Sequence, residues 1–124
     1  MEKVTVLIVD ADKSSAMLLE EVVKLMYQES ADVRILKTAN GSEALKFCHE
    51  YQIELVLTEI KIREMNGWEL TRKIKALDPS IPIIIQTAIV LDHTEQKFKN
   101  SGADGFMAKP VGIDKIQKNI QRVL

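Results

Sequence analysis

The stretch Ile53-Glu54-Leu55-Val56-Leu57-Thr58-Glu59 decides the fold of this 124-residue chain. A short apolar run of this kind that ends at polar residues is typical of a strand buried in a parallel sheet. Glu59 falls at the carboxyl end of the predicted strand. Because open α/β sheets bind their ligands at the carboxyl ends of the strands, Glu59 marks the place where a functional site is expected.

Similar runs occur at four other places, and helix-like patterns separate them. Val4 to Val9 and Ile81 to Ile85 are nearly continuous apolar runs, which predict central strands covered on both faces. Val33 to Lys37 is more mixed, as suits an edge strand, and Asp104 to Ala108 is short. Strands that alternate with helices predict an α/β fold with a parallel sheet.

Apolar residues recur at helical spacing between the strands, so that three helices have one face each for covering the sheet. The predicted apolar positions are Leu18, Val22, Leu25 and Met26 in the first helix, Ala44, Leu45 and Cys48 in the second, and Leu70, Ile74 and Leu77 in the third. Helix boundaries are predicted from turn residues: Asn40-Gly41-Ser42 and Asn66-Gly67 open helices two and three, Asp78-Pro79 closes helix three, and Gly102 follows helix four.

The composition is that of one soluble domain spanning residues 1–124, with 46% hydrophobic and 28% charged residues. A net charge of -1, from 17 basic and 18 acidic residues, provides no basic surface for nucleic acid or for an acidic membrane. The chain has no apolar run long enough to span a bilayer, and its apolar start lacks the flanks of a signal peptide, so the expected location is cytoplasmic. The single cysteine, Cys48, excludes an internal disulfide and a multi-cysteine zinc site.

Polar side chains stand at the carboxyl ends of four predicted strands. Asp10 and Asp12 follow the first strand, Glu59 ends the third, Thr87 follows the isoleucine run of the fourth, and Lys109 follows the fifth. Because these strand ends meet at one edge of a parallel sheet, we expect acids, a hydroxyl group and an ammonium group to converge there. Such a combination suits a phosphate group and a metal ion.

Five segments together resemble the receiver domain of two-component response regulators. They are VLIVD ending at Asp10, ELVLTE at 54–59, MNGWEL at 65–70, IPIIIQTA at 81–88 and GADGFMAKP at 102–110. The resemblance covers essentially the whole chain. It implies a flavodoxin-like (βα)5 fold, in which a doubly wound five-stranded parallel sheet has the order 2-1-3-4-5. It also implies a cytoplasmic, non-enzymatic module of phosphorelay signal transduction.

The resemblance assigns roles to the strand-end residues. Glu59 stands at the phosphoacceptor position, where receivers carry aspartate, and Asp10 is the first acid of the acidic pocket. Thr87 and Lys109 match the residues that contact the phosphoryl group and relay the switch. Phe106 matches an aromatic residue that turns inward or outward with activation.

Two departures from the family pattern, at Ala11 and Lys61, lie beside this pocket. Ala11 stands where a second acid is expected, so Mg²⁺, which Asp10 and Glu59 would hold, is expected to bind weakly or not at all. Asp12 could partly compensate, or it could cap the first helix. Lys61 adds a cation that either replaces the missing metal charge or is solvated.

The longer side chain of Glu59 is the most consequential departure. One extra methylene displaces the carboxylate by roughly an ångström, and misplacement of this size can slow in-line phosphoryl transfer roughly a hundredfold. We therefore predict an atypical receiver, or pseudo-receiver, that works by protein–protein interaction without phosphorylation. Glu59 could reach toward Thr87 and Lys109 and imitate part of the phosphorylated state, or it could simply pair with Lys109.

The residues leave two alternative functions open. The first is a functional phospho-receiver of low efficiency. The second, more remote, is a small phosphatase, because the segment from Asp10 to Ser14 also resembles the nucleophile loop of haloacid-dehalogenase-type phosphatases. Against the phosphatase, the chain is short for that fold, and no pair of acids follows Lys109 to hold Mg²⁺.

A partner-binding face is predicted beside the pocket. The loop after Thr87 is apolar, and helix four offers only Phe98 as a large apolar residue to cover it. The resemblance implies that a protein partner, or a second copy of the chain, binds the face of helix four, strand five and helix five. Whether a sensor kinase is a further partner stays open. The residues predicted for this face are Val90, Leu91, Phe106, Ile113 and Ile116.

Overall fold

The computed structural model describes residues 3–28, 32–88, 90, 92–109 and 112–124. Strands and helices alternate strictly along the chain. In order they are β1 (Lys3–Val9), α1 (Lys13–Tyr27), β2 (Asp32–Thr38), α2 (Gly41–Glu50), β3 (Leu55–Glu59), α3 (Gly67–Leu77), β4 (Ile83–Thr87), α4 (Thr94–Ser101), β5 (Gly105–Ala108) and α5 (Ile113–Val123).

The five strands form one parallel sheet of order β2-β1-β3-β4-β5. This confirms the predicted fold class and strand order. β2 and β5 are the edges, as predicted by the mixed sequence of β2 and by the strand order that the resemblance implies. The predicted third and fourth strands began two residues too early, because Ile53 and Ile81 pack as buried loop residues ahead of β3 and β4.

Two apolar layers cover the two faces of the sheet. On one face, α1 and α5 pack on alternate residues of the strands, including Ile8, Leu57, Ile84 and Met107. On the other face, α2 and α3 pack on the intervening residues, and Trp68 of α3 is buried there. Because successive side chains of a strand point to opposite faces, each strand contributes to both layers.

The predicted apolar face of the first helix was partly wrong. Leu18 and Leu25 are exposed, but Val22 is buried and Met26 is partly buried against the core, as predicted. α1 also buries Ala16, Leu19 and Val23. Leu77, at the end of α3, is also exposed, whereas Leu70 and Ile74 are buried as predicted. Within the described residues, no helix is both long enough and apolar enough to cross a membrane.

The predicted helix ends are confirmed. The Asn40 side chain accepts hydrogen bonds from the backbone N–H groups of Ser42 and Glu43, and the Asn66 side chain accepts one from Glu69, which are typical N-caps. Asp78 ends α3, and Gly102 ends α4 with a left-handed φ of 83° that glycine adopts without strain.

Candidate functional site

Four polar residues continue the row of side chains that faces α1 and α5. Asp10 follows Ile8 by two positions, Glu59 follows Leu57, Gln86 follows Ile84 and Lys109 follows Met107. Residues two apart on a strand share a face, so the side chains at these four neighbouring strand ends point to the same side of the sheet. The apolar layer thus gives way to a polar cluster at the carboxyl edge.

Lys109 joins the two acids of this cluster. Its Nζ donates to Oδ2 of Asp10 at 3.0 Å and to Oε1 of Glu59 at 3.3 Å. The side chains of Lys109, Asp10 and Glu59 are only 15%, 2% and 14% exposed, so these ion pairs are largely shielded from water. The structure therefore brings together Asp10, Glu59 and Lys109, as the sequence predicted.

Every oxygen of the two carboxylates has a protein donor. Oδ2 of Asp10 also accepts from Nε2 of Gln86 at 3.1 Å, and Oδ1 accepts from the backbone N–H of Asp12 at 2.9 Å. Oε2 of Glu59 accepts from the backbone N–H of Ile60 at 2.8 Å. The cluster is a closed hydrogen-bond network, which is the condition under which buried carboxylates are tolerated.

The donor set does not fit Mg²⁺. Ala11 supplies no ligand, and the Asp12 carboxylate accepts from the backbone N–H of Ser14 at 3.1 Å as the N-cap of α1. No group of three acidic, histidine or cysteine side chains that could hold a metal occurs among the described residues. Mg²⁺ needs several oxygens in near-octahedral geometry, and the Asp10 and Glu59 oxygens already face protein donors.

Thr87 and Lys61 line a cavity of about 310 Å³ between the amino-terminal ends of α3 and α4. Thr87 is buried, and its carbonyl accepts from the backbone N–H of Lys109 at 2.8 Å. The Lys61 side chain is exposed at the cavity mouth. Of the two lysines, it is Lys109 that contacts the carboxylates.

Phe106 lies inward against Trp68. Their rings are parallel within 4° with centroids 6.4 Å apart, and Phe98 meets Phe106 edge-on at 6.3 Å. Such offset and edge-to-face arrangements are favourable for aromatic side chains. The three rings connect β5, α3 and α4 on the face opposite Lys109.

The loop between β3 and α3 is tied to its surroundings by backbone and side-chain hydrogen bonds. Arg63 exchanges backbone hydrogen bonds with Ala39 and Gly41 at 2.9 and 3.0 Å. Glu64 has a φ of 72°, and hydrogen bonds from Ser42 and Asn40 hold the pKa of its carboxyl below the ordinary value. These long-range contacts had no signal in the sequence.

The predicted partner-binding face is corrected at one position. Val90 and Ile113 are 56% and 48% exposed, but Ile116 is 1% exposed and packs in the core with α1, because α5 turns this residue toward the sheet. The prediction that Ile116 lies on a docking surface was wrong. Leu91 lies outside the described residues.

Residues 6–121 match the family model of the response regulator receiver domain, and the chain belongs to this family. Receiver domains of two-component signalling interact with histidine kinases and with other proteins. A segment of 85 residues is 35% identical to part of the sensor histidine kinase RcsC of Escherichia coli, and covers 68% of this chain and 9% of that protein.

Two other relatives differ in length. The transcriptional regulatory protein ZraR of Klebsiella oxytoca is 33% identical over 99% of this chain, but this chain spans only 27% of that protein. The polar-differentiation response regulator DivK of Brucella anthropi is 26% identical over 97% of this chain and 95% of its own length. The chain thus spans about a quarter of the first relative and nearly all of the second.

Solved structures share the fold. A receiver domain protein from Methanospirillum hungatei superposes with a TM-score of 0.79 at 28% identity, covering 97% of this chain and 92% of that one. A response regulator from Clostridium difficile superposes with a TM-score of 0.84 at 24% identity, covering 97% and 94% of the two chains.

Proposed function

We propose that this receiver domain signals by protein–protein association without phosphorylation at position 59. The observation that carries the proposal is the position of Lys109, whose ammonium group lies within 3.0 and 3.3 Å of Asp10 and Glu59. An internal cation thereby takes the position between the two acids.

Glu59 is poorly disposed to act as a nucleophile. Its Oε1 accepts from Lys109 and its Oε2 accepts from the backbone N–H of Ile60, so each oxygen already shares one lone pair with a donor, which lowers its nucleophilicity. The pocket also lacks the acid at position 11 that would help to hold a metal ion, which would neutralise the incoming phosphate. Both deficits raise the barrier to phosphoryl transfer.

The test is phosphorylation by a small-molecule donor. The purified chain is incubated with acetyl phosphate or phosphoramidate and Mg²⁺, and its intact mass is measured over time. We expect no gain of a phosphoryl group under conditions in which a receiver with an aspartate acceptor and a complete acid pair is labelled in parallel. A stable gain that disappears in Glu59→Gln would overturn the proposal and favour the low-efficiency phospho-receiver.

The surface that we propose for the partner lies on α4 and β5. A cavity of about 360 Å³ is lined by Val90, Phe98 and Phe106, with acidic groups at Asp92 and Glu95. Val90 is exposed beside this cavity, and α4 has Phe98 as its large apolar contact with the core. An apolar floor with an acidic rim suits a protein segment that presents an apolar side chain flanked by basic ones.

Glu59→Gln also tests whether the charge at position 59 sets the state of this surface. The substitution keeps the side-chain size and removes the charge that Lys109 contacts. If Glu59 imitates a phosphorylated state, association of the variant with its partner or with a second copy should weaken. Unchanged association would leave Glu59 as a structural partner of Lys109.

A further inference from the structure

Gln86 is a polar side chain where the strand pattern calls for an apolar one. It follows Ile83, Ile84 and Ile85 in β4, and it is only 2% exposed. Its amide donates to Oδ2 of Asp10 across 76 positions of sequence. A buried amide in a central strand is costly unless it is hydrogen-bonded, so its pairing with a buried carboxylate calls for a physical explanation.

We propose that Gln86 is a positioning residue that keeps the pocket independent of divalent cations by holding Asp10 in a closed hydrogen-bond network. This inference rests on the proposed function and deepens it. It attributes weak metal binding to Gln86 as well as to the acid positions 10 and 11 and the acceptor position 59. An acid at position 11 and an aspartate at position 59 would then be insufficient to restore a metal site.

The geometry distinguishes Gln86 from Lys109. Lys109 has a long side chain that is 15% exposed, and it can swing toward solvent when a cation arrives. Gln86 is buried near the carboxyl end of β4, an interior strand, where its register partner is Glu59 of β3. Its amide therefore keeps pointing at Oδ2 of Asp10 and occupies one of the two lone-pair directions of that oxygen, so that only one is left for a metal ion after Lys109 moves away.

The experiment measures metal affinity in restored variants. Ala11→Asp with Glu59→Asp rebuilds the family's acids, and Gln86→Met is then added because methionine has a similar volume and no donor. Mn²⁺ and Mg²⁺ are titrated by calorimetry at near-physiological salt. We expect the triple variant to bind at least tenfold more tightly than the double variant.

Gln96 offers a matched control. It is an exposed glutamine of α4 whose amide donates to Asn100 at 3.1 Å, far along the chain from the acids. The double variant carrying Gln96→Met should bind metal as the double variant does. Gln86→Leu replaces Gln86→Met if circular dichroism shows that the methionine variant is not folded.

A second measurement needs no metal. In the parent chain, the hydrogen-bonded side-chain amide proton of Gln86 should exchange with solvent at least tenfold more slowly than the side-chain amide protons of Gln96. Equal exchange rates would overturn the network, because they would mean that the Gln86 amide is open to water.

The metal titration also has outcomes that overturn the proposal. If the double variant binds Mn²⁺ within twofold of the triple variant, or if neither binds, Gln86 is not the barrier. Failure here is distinct from failure of the proposed function, which is decided by the intact mass of the parent chain after treatment with the phosphodonor.

Discussion

Replacing Lys109 by methionine should be the most damaging single substitution in the polar cluster. Methionine keeps the length and the apolar stem of the side chain but removes the ammonium group that contacts both Asp10 and Glu59. Two carboxylates are then left close together without a cation. Asp10 is affected most, because its side chain is 2% exposed and cannot be resolvated in place.

The size of the effect follows from the distances and the burial. With an effective dielectric constant of about 20, two unit charges about 3 Å apart attract by roughly 5 kcal/mol. Part of this attraction offsets the cost of removing the charges from water, and breaking a buried ion pair costs about 3–5 kcal/mol. Since domains of this size unfold with about 5–15 kcal/mol, the variant should lose a large share of its stability.

Urea unfolding provides the assay. Trp68 is the single tryptophan, and because it is buried against Phe106 its fluorescence should report the loss of the core. We expect a lower midpoint with an unchanged slope, as for a simple change in stability. Adding Asp10→Asn to Lys109→Met removes the stranded charge and should recover a large part of the loss.

Lys99→Met is the matched control, because Lys99 pairs with Glu95 on the surface of α4, where the two side chains are 64% and 82% exposed. An exposed pair of this kind contributes at most about 0.5–1 kcal/mol. If Lys109→Met unfolded no more easily than Lys99→Met, or if Asp10→Asn brought no recovery, the cluster would not be a buried charge network.

Three further predictions concern other parts of the chain. Val90→Asp should abolish association with a partner or a second copy, and it should change the free energy of unfolding by no more than about 0.5 kcal/mol. A large loss of stability in urea unfolding would contradict the surface position of Val90. Burial raises the pKa of the Cys48 thiol to about 11. At pH 8 the thiolate fraction of Cys48 should therefore be roughly a hundredfold lower in the folded chain than in the unfolded chain, and alkylation by iodoacetamide should be correspondingly slower. Gly67→Ala should destabilise by about 1–3 kcal/mol in the same unfolding assay, because a Cβ there would overlap the carbonyl oxygen of Glu59 and lie 3.0 Å from its carbon.

The fold was predictable because its signals are local. Each signal depends on only a few neighbouring residues, and the structure agrees with them. These signals are the apolar runs at β1, β3 and β4 and the N-capping residues Asn40 and Asn66. The strand order came from the resemblance to a family and not from periodicity. The errors on α1 have a physical cause, since Leu18 and Leu25 are spaced three or four residues from the buried Val22 but lie at the edge of the face that the helix buries.

The candidate site was predictable only in part. Strand-end positions placed Asp10, Glu59 and Lys109 near one another, but not which oxygen each donor would reach. Gln86 was missed, although its position two residues after Ile84 puts it on the same face as the acids. The sequence does contain a signal for Gln86. An amide at the end of an apolar strand, on the same face as the charged residues that end the neighbouring strands, is expected to hydrogen-bond with them.

The short strand β5 connects the polar cluster to the proposed partner surface. Lys109 follows its carboxyl end on the face of α1 and α5, while Phe106 lies three residues earlier on the opposite face, stacked on Trp68. Because Lys109 is held by two carboxylates, the end of β5 is anchored from one side while the aromatic stack anchors its start from the other. Under the proposed function, the surface at Val90, Phe98 and Phe106 is therefore held in one arrangement by the chain's own side chains, and its regulation would come from the availability of the partner.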